Sequence, residues 1–241
     1  MAIVEWKKEE TVAILIMNTE KNRQNPAFLA AMHQALDEIE TDQEIKAIVL
    51  TSSDQKVWSM GADVDWLTGA FARGDHQSIK DFMYANNKML MRILTLPVPV
   101  IAAIGGHVFG NGTVLACACD FRFMRSDRGY FCFPEVDINI PFLPGMIGML
   151  KRAIPYYKLD DLVYTGKKST GKELEAHHVV IKACEGEEEL MKEALAFART
   201  FTKGRTIFKE LKTRFHKPIL ETMEKEDPPY IESLQLILSS R

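Results

Sequence analysis

Apolar and polar positions alternate along the chain with two different periods. Ala2 to Trp6 and Thr11 to Met17 flank the polar KKEE, and the second run, TVAILIM, is β-branched and apolar, which predicts a hairpin entering a sheet. From Pro26 the spacing lengthens. Leu29, Met32, Leu36 and Ile39 recur at helical intervals, with Asn25 placed as an N-cap and Pro26 at the first helical position. Lys46 to Ser52 returns to a buried strand bounded by polar SSDQK, and WSMGADVDWL then opens a short helical turn with acidic residues near its start. Gly69 to Gln77 is polar and contains glycine, which predicts a mobile loop. Ile79, Phe82, Met83, Asn86, Met89, Leu90 and Ile93 line a long helix that Pro97 and Pro99 end.

Ile101 to Asp120, IAAIGGHVFGNGTVLACACD, reads as strand, turn, helix. Gly105, Gly106, Gly110 and Gly112 permit a sharp turn and leave no side chain to block a ligand from the peptide N–H groups. The first N–H groups of a buried helix beginning there would form a socket for developing negative charge. Phe121 to Met124 and Tyr130 to Phe133 add short strands around SDRG. Helices follow over Met146 to Ala153, Tyr156 to Thr165 and Lys172 to Ala176, then a short apolar run, Val179 to Lys182. From Glu187 the pattern gives three helical segments and no strand. The last, PYIESLQLIL, is more apolar than a solvated helix needs, which points to docking on the core or a subunit contact. The alternation predicts an α/β fold with ligands at strand ends, divided into a core over 1–185 and a helical region over 186–241.

A net charge of −3 without any basic block argues against nucleic acid or an anionic membrane as partner. The N-terminus becomes charged too early for a signal peptide, and no apolar run approaches a membrane span, so the expected compartment is the cytoplasm. Cys117, Cys119, Cys132 and Cys184 form no C-x-x-C pair and read as reduced core thiols; His177 and His178 are adjacent, poor geometry for one metal site. No metal is expected. No G-x-G-x-x-G occurs in the Gly-rich turn, and GKKST at Gly166 to Thr170 lacks the upstream glycine of a P-loop.

Two strand-to-helix gaps, Ser59 to Asp63 and Gly110 to Thr113, would each offer a backbone N–H to one oxygen if they lay side by side. VWSMGADVDWL resembles the F-[SA]-A-G-A-D segment, and GGHVFGNGTVLACACD the N-G-x-A-x-G-G-G-x-x-L-x-x-x-C-D segment, of the crotonase (enoyl-CoA hydratase/isomerase) superfamily. YTGKKSTGKELEAHHVV is similar to that family's T-G-x-x-x-x-A-x-E-A-x-x-x-G-L-V, and the spacing of the first two segments agrees. The resemblance implies a spiral of β-β-α turns, C-terminal helices that form a homotrimer or a dimer of trimers, and no cofactor beyond the CoA carried by the substrate. It implies that the thioester oxygen of an acyl-CoA is held by the N–H groups of Met60 and Asn111. Binding of CoA falls to Arg23 and to Ser59, Gly61, Ala62 and Asp63, with Gly110 at the second turn. Asp63 and Asp120 also read as structural. Met60, Asn111 and Gly105 stand where Ala, Gly and Asn are common; the first two keep their backbone donors and would narrow the acyl pocket.

Hydratases of the family hold a water between two glutamates. The first of those positions is Val114 here, while FPEVDINIPFLPG keeps the second, Glu135. An isopropyl group neither positions nor deprotonates water, whereas moving a double bond needs one base on one face. SDRGYFCFPEVDINI also resembles the corresponding stretch of Δ3,Δ2-enoyl-CoA isomerases, so isomerisation of 3-enoyl-CoA by Glu135 is the expected reaction in fatty acid metabolism. Alternatives are thioester hydrolysis, decarboxylation, or a non-catalytic acyl-CoA-binding scaffold. An isolated glutamate ordinarily sits at a surface or in an ion pair. Phe131, Phe133, Val136, Ile138 and Ile140 would instead raise its pKa, with Asp137 a weaker second acid in an extended segment. Trp66, Phe71, Phe82 and Phe142 are candidates for an acyl tunnel.

Overall fold

The computed structural model describes residues 2–234. The expected hairpin is β1 (Val4–Glu9) and β2 (Val12–Met17), antiparallel, followed by the short β3 (Arg23–Gln24). Helix α1 (Pro26–Thr41) begins at the predicted cap, where Asn25 Oδ1 accepts from Phe28 N at 3.1 Å. Next come β4 (Ala47–Ser52), β5 (Val57–Ser59), β6 (Gly61–Ala62), α2 (Val64–Ala72) and α3 (His76–Thr95). The expected loop over Gly69 to Gln77 shrinks to three residues, because α2 runs on to Ala72 and Asp75 caps α3 by accepting from Ser78 N at 3.2 Å.

Between β7 (Val100–Ile104) and α4 (Asn111–Ala118) lies a strand that the turn glycines concealed, β8 (His107–Phe109). Then follow β9 (Phe121–Arg125), β10 (Phe131–Cys132) and α5 (Glu135–Ile138). The last is a single helical turn where an extended segment was expected; it closes at Asn139, which takes the left-handed conformation. The chain completes itself with α6 (Pro144–Ala153), α7 (Tyr156–Thr165), α8 (Gly171–Ala176), β11 (Lys182–Cys184), α9 (Gly186–Ala198), α10 (Arg205–Lys225) and α11 (Asp227–Glu232).

Strands pair into a six-stranded sheet of order β1-β2-β4-β7-β9-β11, parallel beyond its first hairpin, and a smaller parallel sheet of order β10-β8-β5. Each of β4, β7 and β9 in the large sheet is followed by a strand of the small sheet and then, after the two-residue β6 in the first case, by a helix. This is the expected spiral of β-β-α turns.

Both faces of the large sheet are covered, as a mainly parallel sheet requires. Along β4, Ile48 and Leu50 pack with Leu29, Leu36 and Leu90 of α1 and α3, while Ala47 and Val49 pack with Leu190 and Ala194 of α9. The first helix after residue 185 is therefore a layer of the sheet. α10 is fixed by Lys212, whose buried Nζ donates to Ile93 O at 3.1 Å, Val98 O at 3.2 Å and Asp120 Oδ2 at 2.6 Å. Asp120 also accepts from Val100 N at 2.8 Å, a structural role. Of the apolar C-terminal segment, Pro229 to Leu234 is described, and Ile231 is buried against the main core; 235–238 lie outside the described residues. All four cysteines are buried free thiols. Among the described residues no helix is long and apolar enough to cross a membrane.

Candidate active site

Because β5 and β8 are parallel neighbours, they deliver both strand-to-helix turns to one edge of the small sheet. The turns touch. Gly61 has φ +78°, and a Cβ there would lie 2.7 Å from Asn111 N and 2.8 Å from Phe109 O. Only glycine satisfies both the conformation and the approach. Helix α4 starts at Gly110, at φ +54°, with no side-chain cap, and Thr113 and Val114 return their N–H groups to Gly110 O at 2.8 and 3.1 Å. The N–H groups of Asn111 and Gly112 come before the helix's own carbonyl partners and stand at the positive end of its dipole.

The first turn differs from expectation in one donor. Met60 N–H donates to Lys21 O at 2.9 Å, and Gly61 N–H donates to Ser59 Oγ at 3.2 Å, so neither is free to hold a ligand oxygen. Asp63 N–H donates to Gln24 O at 2.9 Å across the parallel β3–β6 pair. Since alternate residues of a strand direct their N–H groups to opposite sides, Ala62 turns its N–H away from β3. Ala62 lines the cavity beside Asn111. Met60 also lines that cavity, through its side chain rather than as a donor.

That cavity, of about 180 Å³, is walled by Val64 and Leu67 of α2, Ile79, Phe82, Met83 and Asn86 of α3, and Val114 of α4. Pro134, Glu135 and the segment Ile140 to Leu143 close its other side. Glu135 stands at the start of α5, where its Oε2 is buried with no hydrogen-bond partner among the described residues. Burial in this apolar wall raises its pKa from 4.5 to about 7. Val114, 1% exposed, presents only an isopropyl group. Asp137 is exposed and lies against Gly166, away from the cavity, because one helical turn rotates it off the face carrying Glu135.

A parallel spiral, two N–H groups at adjoining turns and a buried carboxyl make a site for stabilising an oxyanion while a proton moves. Residues 7–231 match the sequence profile described as Enoyl-CoA hydratase/isomerase. The chain belongs to the enoyl-CoA hydratase/isomerase family. It is similar to enoyl-CoA delta isomerase 3 of Arabidopsis thaliana, 29% identical over 194 residues that cover 78% of this chain and 79% of that one. It is equally similar to a probable enoyl-CoA hydratase of Bacillus subtilis strain 168, 29% identical over 198 residues covering 81% and 74%. The solved structure of a probable enoyl-CoA hydratase from Mycobacterium tuberculosis H37Rv has the same fold, with a TM-score of 0.87 over 97% of each chain at 21% identity. Relatives of both kinds occur, so the site residues must discriminate between reactions within this family of enzymes.

Around the cavity, the expected CoA-binding residues divide. The Arg23 guanidinium is half-exposed and pairs with Asp65, with Asp63 Oδ1 at 3.8 Å. Ser59 is fully buried and its Oγ donates to Asn22 O at 2.8 Å, so its hydroxyl is structural and only its backbone is left to a ligand. Asp63 caps α2 by accepting from Trp66 N at 3.3 Å and also accepts from Asn25 Nδ2 at 3.1 Å, again structural. Phe82 and Phe142 line the cavity as expected. Trp66 packs behind Phe82 at 5.3 Å between ring centroids, and Phe71 is exposed against His76, outside the wall.

Sequence reasoning passed over a polar trio of which Asn86 and Asn111 line the cavity and Gln24 lies buried behind them. The Asn111 amide nitrogen donates to Asn86 Oδ1 at 2.7 Å and to Gln24 Oε1. Asn86 carried a signal in the chain, being an amide on the otherwise apolar face of α3. Gln24 carried none, since a two-residue strand has no readable period.

Proposed function

We propose that this chain is an enoyl-CoA isomerase that converts 3-enoyl-CoA to 2-enoyl-CoA. The observation that carries the reading is a single buried carboxyl, Glu135, on a cavity where Val114 stands at the first glutamate position of a hydratase. The Glu135 carboxylate removes a proton from C2, and the electron pair spreads through the dienolate to the thioester oxygen. N–H donors from Ala62 and Asn111 stabilise that oxygen, a preorganised donor of this kind contributing about 3 kcal/mol. The protonated carboxyl returns the same proton to C4, leaving the double bond between C2 and C3 and the carboxylate regenerated. Arg23 and the backbone from Ser59 to Asp63 grip the CoA portion, with Gly110 leaving room above the second donor. No other cofactor enters the cycle.

A pKa near neutrality suits this double duty, because the group must accept and release one proton at similar cost. The test is to incubate the protein with 3-hexenoyl-CoA, 2-hexenoyl-CoA and hexanoyl-CoA. Conjugated thioester should form from the first, with neither hydration of the second nor free thiol from the third. Thiol release or hydration at rates above isomerisation would overturn the reading.

A further inference from the structure

The two proposed donors sit on separate pieces of chain, Ala62 on β6 and Asn111 at the start of α4, which approach each other through the close packing of Gly61 and Gly112. One side chain joins them. Asn111 Nδ2 carries two hydrogens, and both are accepted, one by Asn86 Oδ1 on α3 at 2.7 Å and one by Gln24 Oε1 on β3. Gln24 is the residue opposite Ala62 in the β3–β6 register. The amide therefore connects the second turn, through Gln24, to the strand partner of the first. Asn86 and Gln24 are buried, at 3% and 0% exposure, so water does not compete for these bonds.

The trio is not a complete network. Gln24 Nε2 and Asn111 Oδ1 are buried without partners, a cost that an apolar core at this place would avoid. A fully bonded Nδ2 fixes the side-chain torsions of Asn111 and ties its Cα, which bears the donor nitrogen, to β3 and α3. We propose that the Asn111 side chain, held between Gln24 and Asn86, is a positioning group that sets the separation and aim of the Ala62 and Asn111 N–H donors. This rests on the reading that those donors hold the thioester oxygen, and it assigns to Gln24 and Asn86 a part in turnover without contact with the reacting atoms. It adds a side-chain role to the backbone donation expected of Asn111.

The test uses Asn111→Ala, Asn86→Leu and Gln24→Met in the full chain, with two readouts. With 3-hexenoyl-CoA, kcat should fall at least tenfold while KM stays within threefold, because the tether acts on the anionic state rather than on CoA binding. With acetoacetyl-CoA, whose enolate absorbs in the ultraviolet, the parent should bind the enolate and the variants the keto form. A folded Asn111→Ala protein with the parent kcat and enolate signal overturns the proposal. If Asn111→Ala does not fold, Asn86→Leu and Gln24→Met leave that residue intact, and parent values in both overturn it equally. A parent that binds the enolate but does not isomerise 3-hexenoyl-CoA refutes the isomerase reading alone, and loss of the enolate in the variants then still supports the tether. A parent that never binds the enolate overturns both.

Discussion

Glu135→Gln should remove the activity and stabilise the fold at the same time. Activity falls because an amide accepts no proton; the expected loss in kcat is about 10²–10⁴-fold. Stability rises because burial holds the carboxyl at about 7 against an ordinary 4.5, so ionising it costs more in the fold than in the unfolded chain. At about 1.4 kcal/mol for each factor of ten, that difference is about 3 kcal/mol. The sign follows from proton uptake. Between pH 4.5 and 7 the folded state holds the proton and the unfolded state does not, so wild-type stability declines as pH rises through this window and levels off above it. The glutamine variant lacks this decline. At pH 8 it should melt about 6–12 °C above wild type, less whatever its unpartnered amide N–H groups cost, and at pH 4 that advantage should vanish, leaving the variant below wild type by the same amide cost. Thermal denaturation at both pH values, beside the conjugation assay at 3-hexenoyl-CoA saturation, provides the check. Equal melting temperatures at pH 8, or parent turnover in a folded variant, would refute the placement of an ionised base in an apolar wall.

The wild-type pH profile should show the same group: kcat/KM should rise about tenfold from pH 6 to pH 8 as the ionised fraction grows from about one tenth to about nine tenths. Hydration of 2-hexenoyl-CoA should stay below a hundredth of the isomerisation rate, measured by loss of conjugated absorbance, since Val114 holds no water. Gly61→Ala forces a Cβ to within 2.7 Å of Asn111 N and should lower kcat at least tenfold in whatever protein folds, read by single-turnover conjugation. Asp227→Ala strands the Asn87 amide and the Gly145 N–H, each bonded to it at 2.8 Å, and should cost about 3 kcal/mol by denaturant titration with kcat unchanged.

Local chemistry made much of the molecule legible. Apolar periodicity located α1 and α3, and Asn25 with Pro26 marked a helix start to the residue, because a cap and its helix are neighbours in sequence. Charge, thiol spacing and the two glycine-bearing turns framed the chemistry. Glu135 was singled out by the family resemblance, and its apolar neighbours in the chain pointed to burial; Val136 and Ile138 proved exposed, Ile140 does line the cavity, and α2, α3 and α4 build the rest of the wall.

What the chain alone left undecided depended on residues far apart in it. Whether Ala62 or Met60 offers a free N–H turns on Lys21 O and the β3–β6 register, and no local propensity encodes a pairing between two-residue strands. β8 was hidden because its pairing with β5 and β10 comes from sheet closure rather than from alternation over three residues. The Asn111–Gln24 and Asn111–Asn86 bonds span 87 and 25 residues. Sequence determined which side chains are apolar and which backbones can turn, and through the resemblance it named one candidate carboxyl where hydratases carry two. Tertiary structure alone decided which donors are already occupied, since hydrogen-bond availability is a property of the neighbours that folding supplies and not of the residue itself.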